Sequence, residues 1–311
     1  MSSELYNVAL KACPDYTQST LDLAVAEALW AAGVRPGAGA RVLLKPNLLR
    51  PHVLTCASAE VIAAACKYLK DFDLNLTVGD SPGFGSAKSV AKFIGLSELL
   101  RPLGLGVTDL NKSRRVFLSG AQTSLAVSTE ALDADLIISL PRLTAHQHMG
   151  LTLAVKNCFG CIAGLGKARV HTSHGNSHTS FAQLILELYA ALPPVAALLD
   201  GVMAMHVTGP SAGKPYNAGL LAAAGSALAL DTALYAMLGL APAEAPLWQE
   251  ALNMNLPGAH PKELAWPLQS WQDFDLTDFE VPALHSPSFH PWFLTKSLCR
   301  RIWSKIFLWG R

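Results

Sequence analysis

Short apolar runs that end in polar, turn-forming residues recur along this chain, and a helical period follows nearly every one. "YNVALKAC", "RVLLKPN", "LNLTVGDSPG", "ADLIISLP" and "VAALLDGV" are the runs. The helical segments are "STLDLAVAEALWAAG", "SAEVIAAACKYLKDF", "SAKSVAKFIG", "SFAQLILELYAAL" and "SALALDTALYAMLG". Strands alternating with helices of this length predict βαβ units around a mostly parallel sheet with flanking helices, an α/β fold. Ser19 or Thr20 is the expected N-cap of the first helix and Gly33 its stop, while Pro193 and Pro194 end the fourth segment. Residues 104–129 break the rhythm with "RRVFLS" and "TSLAVS", which predict added antiparallel strands. We assign residues 1–285 to one α/β domain, with lobes of about 1–130 and 131–285 around a cleft.

Composition narrows the partners. Only 15% of the 311 residues are charged and 51% are apolar, which argues against disorder, and a net charge of +1 gives no reason to expect nucleic acid. No apolar run reaches the roughly eighteen residues of a transmembrane helix, and "MSSELYNVAL" lacks the basic-then-apolar order of a signal peptide. The expected location is cytoplasmic, with the six cysteines reduced and mostly buried.

Ligands of open α/β sheets bind outside the carboxyl ends of the strands. Four such ends carry polar residues: Lys45 and Asn47, Asp80 and Ser81, Arg142 with Thr144 and His146, and Asp200. Each alone could be a turn or cap, but together they predict a shared cleft. The stretch "LPRLTAHQHMGLTLAVKNCFGC", residues 140–161, adds Lys156 and Asn157. Lys156 follows His146 by ten residues, near the end of a helix if "GLTLAVKN" is helical. A lysine in apolar surroundings can serve as base, nucleophile or covalent anchor; the plain alternative is a lysine binding carbonyls at a helix C-terminus. His171, His174 and His178 share one face if their stretch is helical, which suits a divalent metal, although Gly175 and Asn176 interrupt it. "CFGC" is a lone CxxC whose thiols pack beside Phe159 on the plainer reading. "GPSAGKP" has proline where a Walker A has Ser or Thr, and the glycine fingerprints of dinucleotide sites, G-x-S-x-G and H-E-x-x-H do not occur.

Residues 286–311 form a basic, aromatic tail in which Leu298, Ile302, Ile306 and Trp309 share a helical face. Such a tail fits either a membrane surface of anionic lipid, on the inner face for a cytoplasmic protein, or docking on a protein, including its own domain.

"LLKPNLL", "VGDSPG", "LPRLTAH", "TLAVKNCFGCIAG" with Lys167 and His171 after it, "LLDGVMAM", "GPSAGKP" and "ALALD" occur in this order over residues 43–232. As an ordered set they resemble the domain of unknown function 362 family. That resemblance implies an α/β domain whose biochemical role is poorly defined. Many members carry a ferredoxin-like module; this chain has no C-x₂-C-x₂-C-x₃-C-P run, so no ferredoxin-type iron–sulfur cluster is expected. His206 stands where relatives usually have an acidic residue. The family is similar, remotely, to the nickel-pincer lactate racemases, in which a His precedes the cofactor-anchoring Lys by ten residues and a later His ligates nickel. The resemblance thus implies nickel at His171 or His174, whereas the histidine spacing by itself suits a divalent ion such as nickel or zinc.

The function expected from these residues is acid–base chemistry, isomerase- or racemase-like, on a small anionic or carboxylate substrate. His146 would be the acid or base and Lys156 a second base or anchor. Lys45, Asn47, Asp80, Ser81, Arg142, Asn157 and Asp200 would contact substrate, and His171, His174 and His178 would hold a metal. The alternative is a redox or assembly factor that uses the CxxC and docks through its tail.

Overall fold

The computed structural model describes residues 5–83, 85–164 and 166–285; the tail expectation for 286–311 lies outside them. The strands are β1 (Tyr6–Ala12), β2 (Arg41–Pro46), β3 (Asn75–Asp80), β4 (Val107–Asp109), β5 (Ser113–Leu118), β6 (Thr123–Ser128), β7 (Leu136–Leu140), β8 (Arg142–His146), β9 (Gly150–Thr152), β10 (Val195–His206), β11 (Lys214–Ala224) and β12 (Leu264–Ala265). The helices are α1 (Gln18–Ala31), α2 (Ala59–Lys70), α3 (Ala87–Phe93), α4 (Leu96–Leu100), α5 (Thr129–Leu132), α6 (Ala154–Asn157), α7 (Gly166–His174), α8 (His178–Ala191), α9 (Ala227–Met237) and α10 (Pro246–Asn253).

One ten-stranded sheet runs β12–β1–β11–β10–β7–β2–β3–β4, with β8 and β9 branching from β10. The pairs β10–β7, β7–β2, β2–β3 and β3–β4 are parallel, whereas β11 is antiparallel to both β1 and β10. β7 lies between β2 and β10, so chain from both sides of residue 130 builds the same sheet.

Strand side chains alternate between faces, and the core follows that period of two. Leu43 and Ile137 belong to the apolar cluster on one face, with Leu184 and Leu188 of α8 and Leu230 and Leu234 of α9. Val42, Leu44 and Ile138 belong to the cluster on the other, with Leu21 and Val25 of α1 and Val61 and Ile62 of α2. Burial on both faces is why β2 and β7 read as unbroken apolar runs. The expected pair in 104–129 forms as the antiparallel β5–β6 ribbon.

Two local expectations change. α1 begins at Gln18 with Thr17 as its N-cap, so Ser19 and Thr20 fall inside its first turn. "GLTLAVKN" is not one helix: Gly150–Thr152 pairs with β8, and the helix is only Ala154–Asn157.

Candidate active-site cleft

In register across parallel β2 and β7, Lys45 faces Ser139 and Pro46 faces Leu140, and β3 ends alongside at Asp80. These carboxyl ends, with β8, α6 and α7, enclose a cavity of about 440 Å³. Lys45, Asn47, Asp80, Ser81, His146, Lys156, Asn157 and His171 of the expected site all line it.

Its floor is a closed polar network. Lys45 Nζ donates to Asp80 Oδ1 (2.8 Å), Asn157 Oδ1 (2.8 Å) and Pro46 O (3.3 Å). Asp80 also accepts from the Leu48 and Ser81 backbone N–H groups, each at 2.8 Å. Asn157 Nδ2 donates to Lys45 O and Ser139 Oγ, each at 3.0 Å, and Ser139 Oγ donates to Ala154 O at 2.9 Å. All three protons of the Lys45 ammonium are therefore engaged. Lys45, Asp80 and Asn157 hold one another, and the expectation that they reach out to substrate gives way to a structural role. Gly160 lies directly on this pair: a Cβ there would overlap Lys45 Nζ and Asp80 Oδ1. Gly160→Ala is therefore expected to destabilise the fold by about 2 kcal/mol or more, read by denaturant unfolding.

Arg142 and Asp200 do not line the cleft. They are Cα partners on β8 and β10 and form a second buried ion pair at 3.0 Å. Asp200 also accepts from the Tyr16 hydroxyl (3.0 Å) and the Ser58 N–H (2.8 Å), while Arg142 donates to the carbonyls of Cys56 and Met203. Strand register captures the guanidinium before a substrate could.

The remaining cleft is basic. His146 Nδ1 accepts the His148 N–H at 3.1 Å, so the neutral ring carries its proton on Nε2. Burial, then nearby Lys156, hold this imidazole well below its ordinary range. Lys156 Nζ donates to Thr152 Oγ1 at 3.4 Å, and burial pulls its amine down to about 7. His171, its ring against Phe159 and Phe181, is lowered to about 4 by burial and by Lys156. His148 and Lys167 complete the basic lining. Asp80, the one carboxylate among the described lining residues, is taken by Lys45.

The three expected metal ligands do not converge. α7 ends at His174 and the chain turns before α8 starts at His178. His174 shares hydrogen bonds with Ser173 Oγ (2.7 Å) and Ala121 O (3.1 Å), and His178 Nε2 lies 3.0 Å from His285 O. Only His171 of the three lines the cleft, and among the described residues no three His, Cys, Asp or Glu side chains are placed to hold an ion. The donors His171, His174 and His178, as the described residues place them, do not fit nickel or zinc.

The CxxC thiols are fully buried, and Cys158 Sγ donates to Ala154 O at 3.4 Å. Burial pushes Cys158 well above the usual thiol range and Cys161 up to about 11. Both are thiols rather than thiolates at neutral pH. In the native protein at pH 8 they are expected to stay unmodified by a thiol reagent and to react only on unfolding; rapid native modification, mapped by mass spectrometry, would contradict their burial.

Asp231 escaped the sequence reading. Its carboxyl, the last residue of "ALALD", accepts the N–H groups of Ala154 (2.8 Å) and Val155 (2.9 Å), which caps α6 and holds Lys156 in place. Burial pushes this carboxyl up to about 8, against the pull of those two bonds. A lone acid in an otherwise apolar helix was the available signal. His148, two residues beyond His146 in the turn that follows β8, was another.

Sheet and cleft together define an α/β protein with a strand-end pocket lined by amines and imidazoles. The chain belongs to the family of the domain of unknown function DUF362, whose model matches residues 42–236. It is 37% identical over 259 residues to a thylakoid-associated protein of Synechocystis sp., covering 82% of this chain and 79% of that one. Among solved structures it is similar to the lactate racemase apoprotein of Thermoanaerobacterium thermosaccharolyticum, with a TM-score of 0.47, 13% identity and coverage of 72% of this chain and 54% of that chain. A protein from Thermotoga maritima matches with a TM-score of 0.43, 13% identity and coverage of 66% and 54%. The chain thus spans about half the length of these two structures. Among the described residues no helix is long and apolar enough to cross a membrane.

Proposed function

We propose that the cleft is the active site of an enzyme acting by acid–base chemistry on a small carboxylate-bearing substrate, with proton abstraction or isomerisation as the reaction class. The observation that carries this is the Lys156 amine: it lines the cavity beside neutral imidazoles, with only a long hydrogen bond to Thr152 and no carboxylate partner among the described residues. An anion entering the cavity supplies the missing counter-charge.

The chemistry divides between two groups. Lys156, close to half uncharged at neutral pH, accepts a proton. His146 is fixed in the tautomer that donates from Nε2, so it polarises a substrate oxygen as a neutral donor rather than taking a proton first. Asn47 and Ser81, also on the lining, are the remaining polar contacts of the expected set. No step is assigned to a metal, since His171, His174 and His178 do not meet.

The test is a panel of short 2-hydroxy- and 2-aminocarboxylates incubated with the protein in D₂O and followed by proton NMR. Loss of the Cα–H signal from at least one compound, abolished in Lys156→Met, is the expected result. No exchange with any compound, combined with no carboxylate-induced thermal stabilisation, contradicts the reading.

Peripheral contact with a membrane face through residues 286–311 belongs to the same proposal. It is supported by the basic aromatic sequence of that segment and by the similarity to a thylakoid-associated protein. The full chain is expected to sediment with vesicles of anionic lipid and a chain ending at residue 285 to stay in the supernatant.

A further inference from the structure

We propose that Lys156 forms a reversible imine with an anionic carbonyl compound, an aldehyde acid or 2-oxo acid, held in the cleft. This deepens the reading of the cleft as a site for small carboxylates, on which it rests.

Position comes first. Lys45 is locked at the floor by Asp80 and Asn157, which leaves it no freedom to reach a ligand. Among the described residues Lys156 instead has only Thr152 Oγ1, at 3.4 Å, and it lines the cavity. The groups around it are His146, His148 and His171, with Lys167 beyond, so among the described residues no carboxylate holds it as an ammonium. Its amine, lowered to about 7, has an uncharged fraction at pH 7 about a thousand-fold larger than that of an ordinary lysine near 10.4.

The oxygen side of the reaction is also furnished. Thr144 Oγ1 is buried on the cleft wall, 2% exposed, and has no hydrogen-bond partner among the described residues. A buried hydroxyl without a partner costs roughly 1–3 kcal/mol, which a ligand oxygen relieves. His146 Nε2–H is a second donor. Phe159 and Phe181 give the same cavity an apolar wall. About 440 Å³ suits a compound of a few carbons.

The step balances without an oxidant or reductant. The Nζ lone pair bonds to the carbonyl carbon as the C=O π pair moves to oxygen, which takes a proton from a cleft donor. Nitrogen then gives up one proton to leave a carbinolamine. The hydroxyl takes a proton and leaves as water as the nitrogen lone pair forms C=N, and the protonated imine so formed equilibrates with the neutral imine through its remaining N–H proton. Amine and carbonyl compound give imine and water. The protonated imine restores the cation that the ligand carboxylate balances and acidifies the adjacent C–H, which suits isomerisation.

The experiment treats the full chain at pH 7.5 with pyruvate or glyoxylate and borohydride, which traps an imine by adding hydride to carbon and a proton to nitrogen, and maps lysines by peptide mass spectrometry. Lactate, which has no aldehyde or ketone carbonyl to form an imine, is the control, and thermal stabilisation is measured with each compound. The expected result is at least about tenfold more adduct at Lys156 than at any other lysine. Stabilisation by pyruvate and lactate alike, without an adduct at Lys156, overturns the imine and leaves the anion site standing. No stabilisation and no adduct removes both.

Discussion

Asp80→Ala is expected to lower the unfolding free energy by about 3–5 kcal/mol, enough to unfold a domain of ordinary stability near its working temperature. Asp80 and Lys45 are 4% and 1% exposed, and the carboxylate also takes two backbone N–H groups. Removing it strands an ammonium at the floor of the cleft and leaves the Leu48 and Ser81 donors unsatisfied. The cost lies in the uncompensated charge more than in the pair itself. Lys45→Met with Asp80→Leu should therefore lose less than either single change. Denaturant unfolding followed by circular dichroism measures all three variants; single changes that cost under about 1 kcal/mol contradict the network.

Lys156→Met runs the other way. At pH 7 it is expected to stabilise the protein by about 2–4 kcal/mol, because burial lowers the amine from 10.5 to about 7 and the folded state gives up protons that the unfolded chain keeps. The sign follows from that order. Between pH 7 and pH 10.5 the unfolded chain binds more protons, so this residue's destabilising effect fades as pH rises through the window. The advantage of Lys156→Met over the wild type should be largest and flat below pH 7 and shrink towards pH 10.5. Asp231, pushed up to about 8, slopes the opposite way in both proteins, so it cancels in their difference. The same variant should lose cleft binding: the fold carries a costly lysine for what it does there. A difference independent of pH contradicts the buried amine.

How far the residues could be read in advance follows from how local each fact is. Parallel strands buried on both faces must be apolar throughout, so β2, β7 and β10 announce themselves, and their polar ends announce a cleft. Which ends face the cavity is a matter of register between strands remote in sequence. Lys45 and Asp80 are brought together by the neighbouring β2 and β3, and Arg142 meets Asp200 because β8 docks on β10. Neither pairing is visible in the runs themselves, so both ion pairs looked like substrate contacts. The histidine cluster failed for a local reason: Gly175 and Asn176 turn the chain between His174 and His178. Lys156 was legible as a lysine among apolar neighbours, but its strand-then-helix setting and its cap, Asp231, depend on α9 packing against α6.

The most direct test of an anion site built on Lys156 is calorimetric titration of the full chain with short 2-hydroxy- and 2-oxocarboxylates at pH 8, in two buffers of different ionisation enthalpy. A carboxylate beside the amine raises its affinity for a proton, so binding should take up a substantial fraction of a proton, and both the binding and the uptake should disappear in Lys156→Met. Binding that takes up no proton and survives Lys156→Met, or no binding by any carboxylate, would contradict the account.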